Sequence, residues 1–140
     1  MTFVLDASAV LRFLDNEPGA LEVERLIKDA AIGAHDLLMS AANWGEVFYI
    51  VLKAHGVVSA ENIENRFQSL PINVLSVDPI VAREAAEFRF RFKVPFADSF
   101  AGALALRNNA TLITADNDFR VVGNALKVSF LPNKSKGRTP

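Results

Sequence analysis

Cysteine is absent from all 140 residues, which excludes disulfide frameworks, thiolate metal sites and cysteine nucleophiles. Histidine is nearly absent too: His35 and His55 stand alone in the chain and are expected to face solvent rather than hold a metal. Long apolar runs are missing. Stretches such as Val47 to Leu52 fall far short of the roughly 20 residues that a membrane helix needs. No basic region leads into an apolar stretch at the N-terminus, so a soluble, cytoplasmic protein is expected. There is no internal repeat and no low-complexity linker between domains.

What is present points to one buried core. With 51% hydrophobic residues the chain is long enough for a single well-packed domain and too short to expect two. That domain is expected over residues 1–132, followed by a basic, disordered tail over 133–140. The net charge is only -1, but it is unevenly spread. Through Asp118 the chain carries ten basic and sixteen acidic residues, and beyond it five basic and none acidic. An acidic cleft that holds metal and a basic end that meets a polyanion are compatible with this split, although a merely solvated tail is the plainer reading.

Apolar runs at Phe3 to Leu5, Leu37 to Met39, Val74 to Val77, Thr111 to Ile113 and Val128 to Leu131 read as buried strands. Between them lie helical patterns: Ala9 to Leu14, Leu21 to Ala30 after the Pro18-Gly19 turn, and Val47 to Ala54 ended by Gly56. Ser59 is expected to cap the next helix, which carries Ile63, Phe67 and Leu70. Pro79 suits the first turn of a helix running to Phe92, and another should span Phe96 to Asn108. Strands alternating with helices imply an α/β fold with a mostly parallel sheet of about five strands. The stretch from Glu87 to Lys93 alternates polar and apolar residues as a strand would. Helix is nonetheless preferred, because Ala82, Ala85 and Ala86 precede it and Phe88 and Phe92 share a face at i, i+4. Its interleaved arginines and phenylalanines could contact RNA, with core packing the more ordinary role.

Four carboxylates, Asp6, Glu46, Asp98 and Asp116, fall where strands end or helices begin. In an open parallel sheet those positions meet at one edge, beside the topological switch point. Two carboxylates about 4 Å apart repel by about 4 kcal/mol at an effective dielectric near 20, so a cation or a proton must relieve them. An all-oxygen donor set favours Mg²⁺, with Mn²⁺ also suited, over zinc. Such an ion polarises a phosphoryl oxygen and acidifies water, which is the chemistry of phosphodiester hydrolysis without a protein nucleophile. Taken singly, Asp6 and Asp98 read equally as helix caps and Glu46 as a surface residue. The small residues Ala97, Ala101, Gly102 and Ala105 let the Asp98 helix approach the sheet and leave room at the carboxylate. Asp118 either completes the metal site or caps a short helix, the cap being preferred, and Ser8 is itself a plausible cap. Ser8 and Thr114 adjoin the proposed ligands and are candidates for orienting water or carboxylates, or for local backbone bonding.

These residues resemble the PIN-domain family, and within it the VapC-type toxins of bacterial and archaeal toxin–antitoxin pairs. Val4-Leu5-Asp6-Ala7-Ser8-Ala9 is similar to the opening strand and first acid, and Asn43-Trp44-Gly45-Glu46-Val47 to the region of the second. Asp98-Ser99-Phe100-Ala101-Gly102-Ala103-Leu104-Ala105 resembles the third, and Thr114-Ala115-Asp116-Asn117-Asp118-Phe119 the last. Each motif is loose alone; four in order over nearly the whole chain are specific. Ser99, where a small apolar residue is more usual, and the aromatic Phe88-Phe90-Phe92 cluster depart from the pattern without touching the acids. The resemblance implies a three-layer PIN-like fold and a Mg²⁺-dependent endoribonuclease with Asp6, Glu46, Asp98 and Asp116 as catalytic metal ligands. It also implies a homodimer and a small antitoxin partner. An antitoxin arginine could satisfy the carboxylates in place of metal, and Trp44 lines that groove or packs in the core.

Other hydrolase plans fit less well. A haloacid-dehalogenase-type phosphatase needs a second aspartate two residues after the first, where Ser8 stands. A receiver domain needs a lysine partner for a phospho-accepting aspartate, and Asp78 is followed directly by Pro79. A catalytically quiet PIN-like module that binds RNA or protein is the alternative that remains, against which the complete acid set argues.

Overall fold

Strands Thr2–Leu5 (β1), Asp36–Ser40 (β2), Asn73–Leu75 (β3), Thr111–Thr114 (β4) and Val128–Phe130 (β5) pair in the order β3-β2-β1-β4-β5, every neighbouring pair parallel. The computed structural model describes residues 1–134. The chain lays β1, β2 and β3 outward in one direction and then returns to add β4 and β5 on the other side of β1. The sheet's switch point therefore lies between β1 and β4. The register Leu5↔Ile113 sets the residues just beyond these two strands side by side.

Helices Ala7–Leu14 (α1), Ala20–Ala31 (α2), Ala41–His55 (α3), Val57–Gln68 (α4), Pro79–Phe92 (α5) and Phe96–Arg107 (α6) cover both faces of the sheet, with a 3₁₀ segment at Asn117–Ala125. The strand side chains sort by alternation. Val4, Leu38 and Leu112 pack with Phe88, Val94, Ala101, Ala105 and Phe119 on the α5–α6 side. Leu5, Leu37, Met39 and Ile113 pack with Val10, Val23, Ile27, Val47 and Phe67 on the other. Strands buried on both faces leave little room for polar residues, which is why they read as continuous apolar runs in the sequence. The sheet is wholly parallel and the three-layer α/β arrangement is the expected one.

The stretch from Glu87 to Phe92 is helical despite its alternation, and the Phe88 and Phe92 rings lie 4.6 Å apart on one face of α5. Asp78 caps this helix, with Pro79 in its first turn. Some boundaries differ from expectation. The third strand ends at Leu75 rather than Val77, because its partner β2 ends at Ser40, opposite Leu75. Ser59 is not a cap: α4 begins at Val57, directly after Gly56, whose φ of 89° turns the chain sharply between α3 and α4. Gly102 does not serve an approach to the sheet. It faces α5, where a Cβ would stand 2.3 Å from the Phe88 ring, whereas Ala101 and Ala105 are fully buried in the core beneath. His55 is exposed, but His35 is half-buried, its ring edge-on to Phe3 and its Nε2 3.0 Å from the Leu26 carbonyl. Of the tail expected over 133–140, residues 135–140 lie outside the described residues; Lys134 pairs with Glu17 at 3.1 Å.

Candidate metal centre

Asp6 leaves the end of β1 and caps α1, its Oδ1 accepting from the Ala9 N–H at 2.9 Å. Ser8 is therefore not the cap. Its hydroxyl donates to Asp6 Oδ1 at 2.7 Å and accepts from the Ala115 N–H at 2.9 Å. Thr114, the last residue of β4, repeats the pattern: its hydroxyl donates to Asp6 Oδ2 and accepts from the Asp116 N–H at 2.9 Å. The two N–H groups can only donate, so both hydroxyl protons are turned toward Asp6. Ser8 and Thr114 thus hold the Asp6 carboxylate, and one acceptor position on Oδ2 stays open.

Asp6 is only 2% exposed, and burial raises its pKa to about 6 against the lowering effect of Thr114, Ser8 and the Ala9 amide; the Asp116 charge adds to the rise. Asp98, in the first turn of α6, is pushed further, to about 8. Burial is the largest cause, followed by Asp116 through a shared hydrogen bond and its charge, and then by the charges of Asp6 and Glu46. Among the described residues, Asp98 Oδ2 is buried without a hydrogen-bond partner, since the facing Asp116 carboxylate becomes one only when a proton lies between them.

One oxygen each from Asp98, Asp116 and Asp118 lies within 4.8 Å of the others, the grouping a small cation requires. Asp118 does not cap the segment that follows β4. It is Asp116 that caps the 3₁₀ segment, its Oδ1 accepting from the Asp118 N–H at 2.9 Å. Asp6 and Glu46 stand outside this group but close enough for their charges to reach Asp98. Ser40 caps α3 and so sets Glu46 in the second turn of that helix. The buried, unpartnered Asp98 oxygen and an all-carboxylate donor set suit a hard divalent cation.

Asn43 escaped the sequence reading. Fully buried, one turn before Glu46, it donates from Nδ2 to the Ala97 carbonyl at 3.0 Å and so ties α3 to the start of α6, next to Asp98. The signal was an amide three residues ahead of an acid on an otherwise apolar helix. Trp44 packs rather than lining a groove: it stacks on Phe67 at 4.8 Å and meets Phe48 edge-on.

The PIN-domain family model matches residues 3–125. No curated protein sequence matches the chain. Among solved structures, VapBC from Salmonella typhimurium, bound to DNA, superposes with a TM-score of 0.73 at 17% identity, covering 93% of this chain and 98% of that one. VapBC2 from Rickettsia felis, bound to a promoter DNA fragment, gives 0.71 at 18% identity, covering 94% and 100%. VapC20 from Mycobacterium tuberculosis, a sarcin-ricin loop cleaving toxin, gives 0.66 at 16% identity, covering 86% and 95%. With the family match running through β1, the acidic cluster and the 3₁₀ segment, the chain belongs to the PIN-domain family.

Proposed function

We propose that this protein is a Mg²⁺-dependent endoribonuclease, with Mn²⁺ able to substitute, acting in the cytoplasm as the VapC-type toxin of a type II toxin–antitoxin pair. The observation that carries this reading is the convergence of Asp98, Asp116 and Asp118 within 4.8 Å at the switch point of the sheet, with a buried oxygen of Asp98 left unpartnered. Asp98 and Asp116 would hold the cation, with Asp6, Glu46 and Asp118 completing its surroundings. When bound, the cation supplies Lewis-acid activation of water and of the phosphoryl group, and neutralises charge on the leaving oxygen.

The chain's own residues prepare this chemistry. Ser8, Thr114 and the Ala9 amide hold Asp6 as an anion in one orientation. Burial and the neighbouring Asp116 raise the Asp98 pKa to about 8, a crowding of negative charge that a bound cation would relieve. Glu46 adds negative charge from α3, held in place by the Asn43 link to α6. Among the described residues no helix is long and apolar enough to cross a membrane. The likeness to VapBC complexes supports an antitoxin partner, and the sarcin-ricin loop cleaved by VapC20 supports RNA as the substrate; a homodimer is part of the same proposal. An antitoxin arginine placed among these carboxylates would satisfy them bidentately and exclude metal.

The test is incubation of antitoxin-free protein with total cellular RNA in Mg²⁺, Mn²⁺ or EDTA, beside Asp98→Asn. Discrete fragments that vanish with EDTA and with the substitution are expected. Intact RNA with folded, metal-binding protein at high concentration would instead favour a catalytically quiet binding module.

A further inference from the structure

An open groove of about 660 Å³ runs from the C-terminal end of α5 to the N-terminal end of α6, walled by Arg89, Lys93, Pro95 and Phe96 and closed on its far side by Asn117 and Asp118. It opens directly onto the acidic cluster through Asp118. Its cations make only local contacts, Lys93 Nζ lying 5.5 Å from the centre of the exposed Phe90 ring. Arg89 donates one nitrogen to the Val94 carbonyl, and among the described residues neither Arg89 nor Lys93 pairs with a carboxylate. Phe96 is 51% exposed, its ring braced edge-on by Phe100 at 5.0 Å and therefore held as a rigid apolar face.

Lys93 carries a second peculiarity. It ends α5 in the left-handed conformation at φ 63°, where glycine is the favoured residue and a Cβ is strained. Among the described residues, every other positive-φ position is asparagine or glycine, which tolerate that region. A lysine kept where glycine would fold better suggests that its side chain is used.

We infer that this groove holds the single-stranded RNA that flanks the scissile phosphate, Lys93 and Arg89 meeting backbone phosphates and Phe96 stacking on a base. The inference rests on the nuclease reading and adds the substrate path to it. Polyanion contacts beside the acids let a strand approach the cluster that would otherwise repel it. A protruding aromatic ring suits an unpaired base, whose face is available, better than a duplex, whose bases are stacked. The sequence offered the interleaved basic residues and phenylalanines of Glu87 to Lys93 for RNA contact, with core packing as the more ordinary role, and Arg89 and Lys93 belong to that stretch. Phe88 is buried and Phe92 half-buried in packing; Phe90 is 81% exposed, with Lys93 Nζ 5.5 Å from its ring centre, but it lies outside the groove, whose aromatic wall is Phe96.

Fluorescence anisotropy with a labelled single-stranded RNA of about ten nucleotides, in EDTA to prevent hydrolysis, tests this across a range of salt. Lys93→Gln is expected to weaken binding about fivefold at ~0.1 M salt and to lower the salt slope by about 0.7, the value for one lost phosphate contact to a single strand. Phe96→Ala is expected to weaken binding about tenfold with the slope unchanged, and Phe96→Tyr to restore it. Lys93→Gly should melt at a higher temperature than native while binding RNA more weakly, which separates a binding role from misfolding. Arg25→Gln, an exposed cation on α2, serves as control.

Native affinity and slope in both Lys93→Gln and Phe96→Ala would overturn the inference. That includes the case in which Phe96→Ala instead loses a co-purified protein partner. Cleavage by native protein with indifferent groove variants sinks the groove alone. Binding that follows the groove variants without any cleavage in Mg²⁺ supports the groove and sinks the nuclease reading.

Discussion

The hydroxyl of Thr114 donates to the carboxylate of Asp6 across 108 residues of sequence, at the point where β4 and β1 end side by side. Thr114→Val keeps the shape and removes both the donor to Asp6 and the acceptor for the Asp116 N–H. A loss of about 1–3 kcal/mol in urea denaturation is expected, because buried polar groups are left unpaired. Since this bond lowers the Asp6 pKa, its removal shifts that pKa upward from about 6. Metal binding in Thr114→Val should therefore weaken more steeply below neutral pH than in native protein, and Thr114→Ser should behave as native.

Asp6 and Asp98 have folded-state pKa values near 6 and 8 against an ordinary 3.8. The folded protein holds these protons more tightly than the unfolded chain. Their contribution to stability is thus complete below the ordinary value and is lost as pH rises through about 6 and then about 8. Thermal melts in EDTA should fall steadily from about pH 4 to about pH 8, with the upper part of that fall flattened in Asp98→Asn. Added Mn²⁺ should raise the melting temperature most at the alkaline end, where protons no longer compete for the carboxylates. A metal effect independent of pH would contradict the site.

Asp118 lies within the carboxylate group and Glu46 outside it. Titration of Mn²⁺ by electron paramagnetic resonance should show binding weakened about 10- to 100-fold in Asp118→Asn and less in Glu46→Gln. The reverse order would assign Asp118 to the rim and Glu46 to the ion.

Gly102 receives the Phe88 ring in the middle of α6, with 2.3 Å between a ring carbon and the position a Cβ would take. Gly102→Ala should lower stability by about 1–3 kcal/mol despite alanine's better helix propensity, because the α5–α6 contact must open. Adding Phe88→Leu should recover part of the loss, which a double-mutant cycle would register as coupling between the two positions.

The strands were legible because burial on both faces makes them unbroken apolar runs, and Asp6 and Asp116 were legible because one directly follows such a strand and the other comes two residues after one. The helix through Phe92 was legible despite its alternation, since the alanines and the i, i+4 phenylalanines agree with helix and not with strand. Ser59 misled because a serine ahead of an apolar helical pattern resembles a cap; the turn is made earlier by Gly56, through a backbone conformation that leaves no side-chain signature. The cap after β4 was misplaced because two aspartates two residues apart cap equally well on paper, and only the backbone direction after β4 selects Asp116.

By itself the sequence determined the α/β class, the order of strands and helices, and the placing of acids at strand and helix ends, since these follow from local periodicity and local propensity. Which acids converge was decided only by the tertiary structure. The β1–β4 register brings Thr114 and Ser8 onto Asp6, and the packing of α6 against the sheet carries Asp98 to Asp116. Strand register and helix packing are set by interactions between residues distant in the chain, and a side chain's neighbours across a parallel sheet have no counterpart in its neighbours along the sequence.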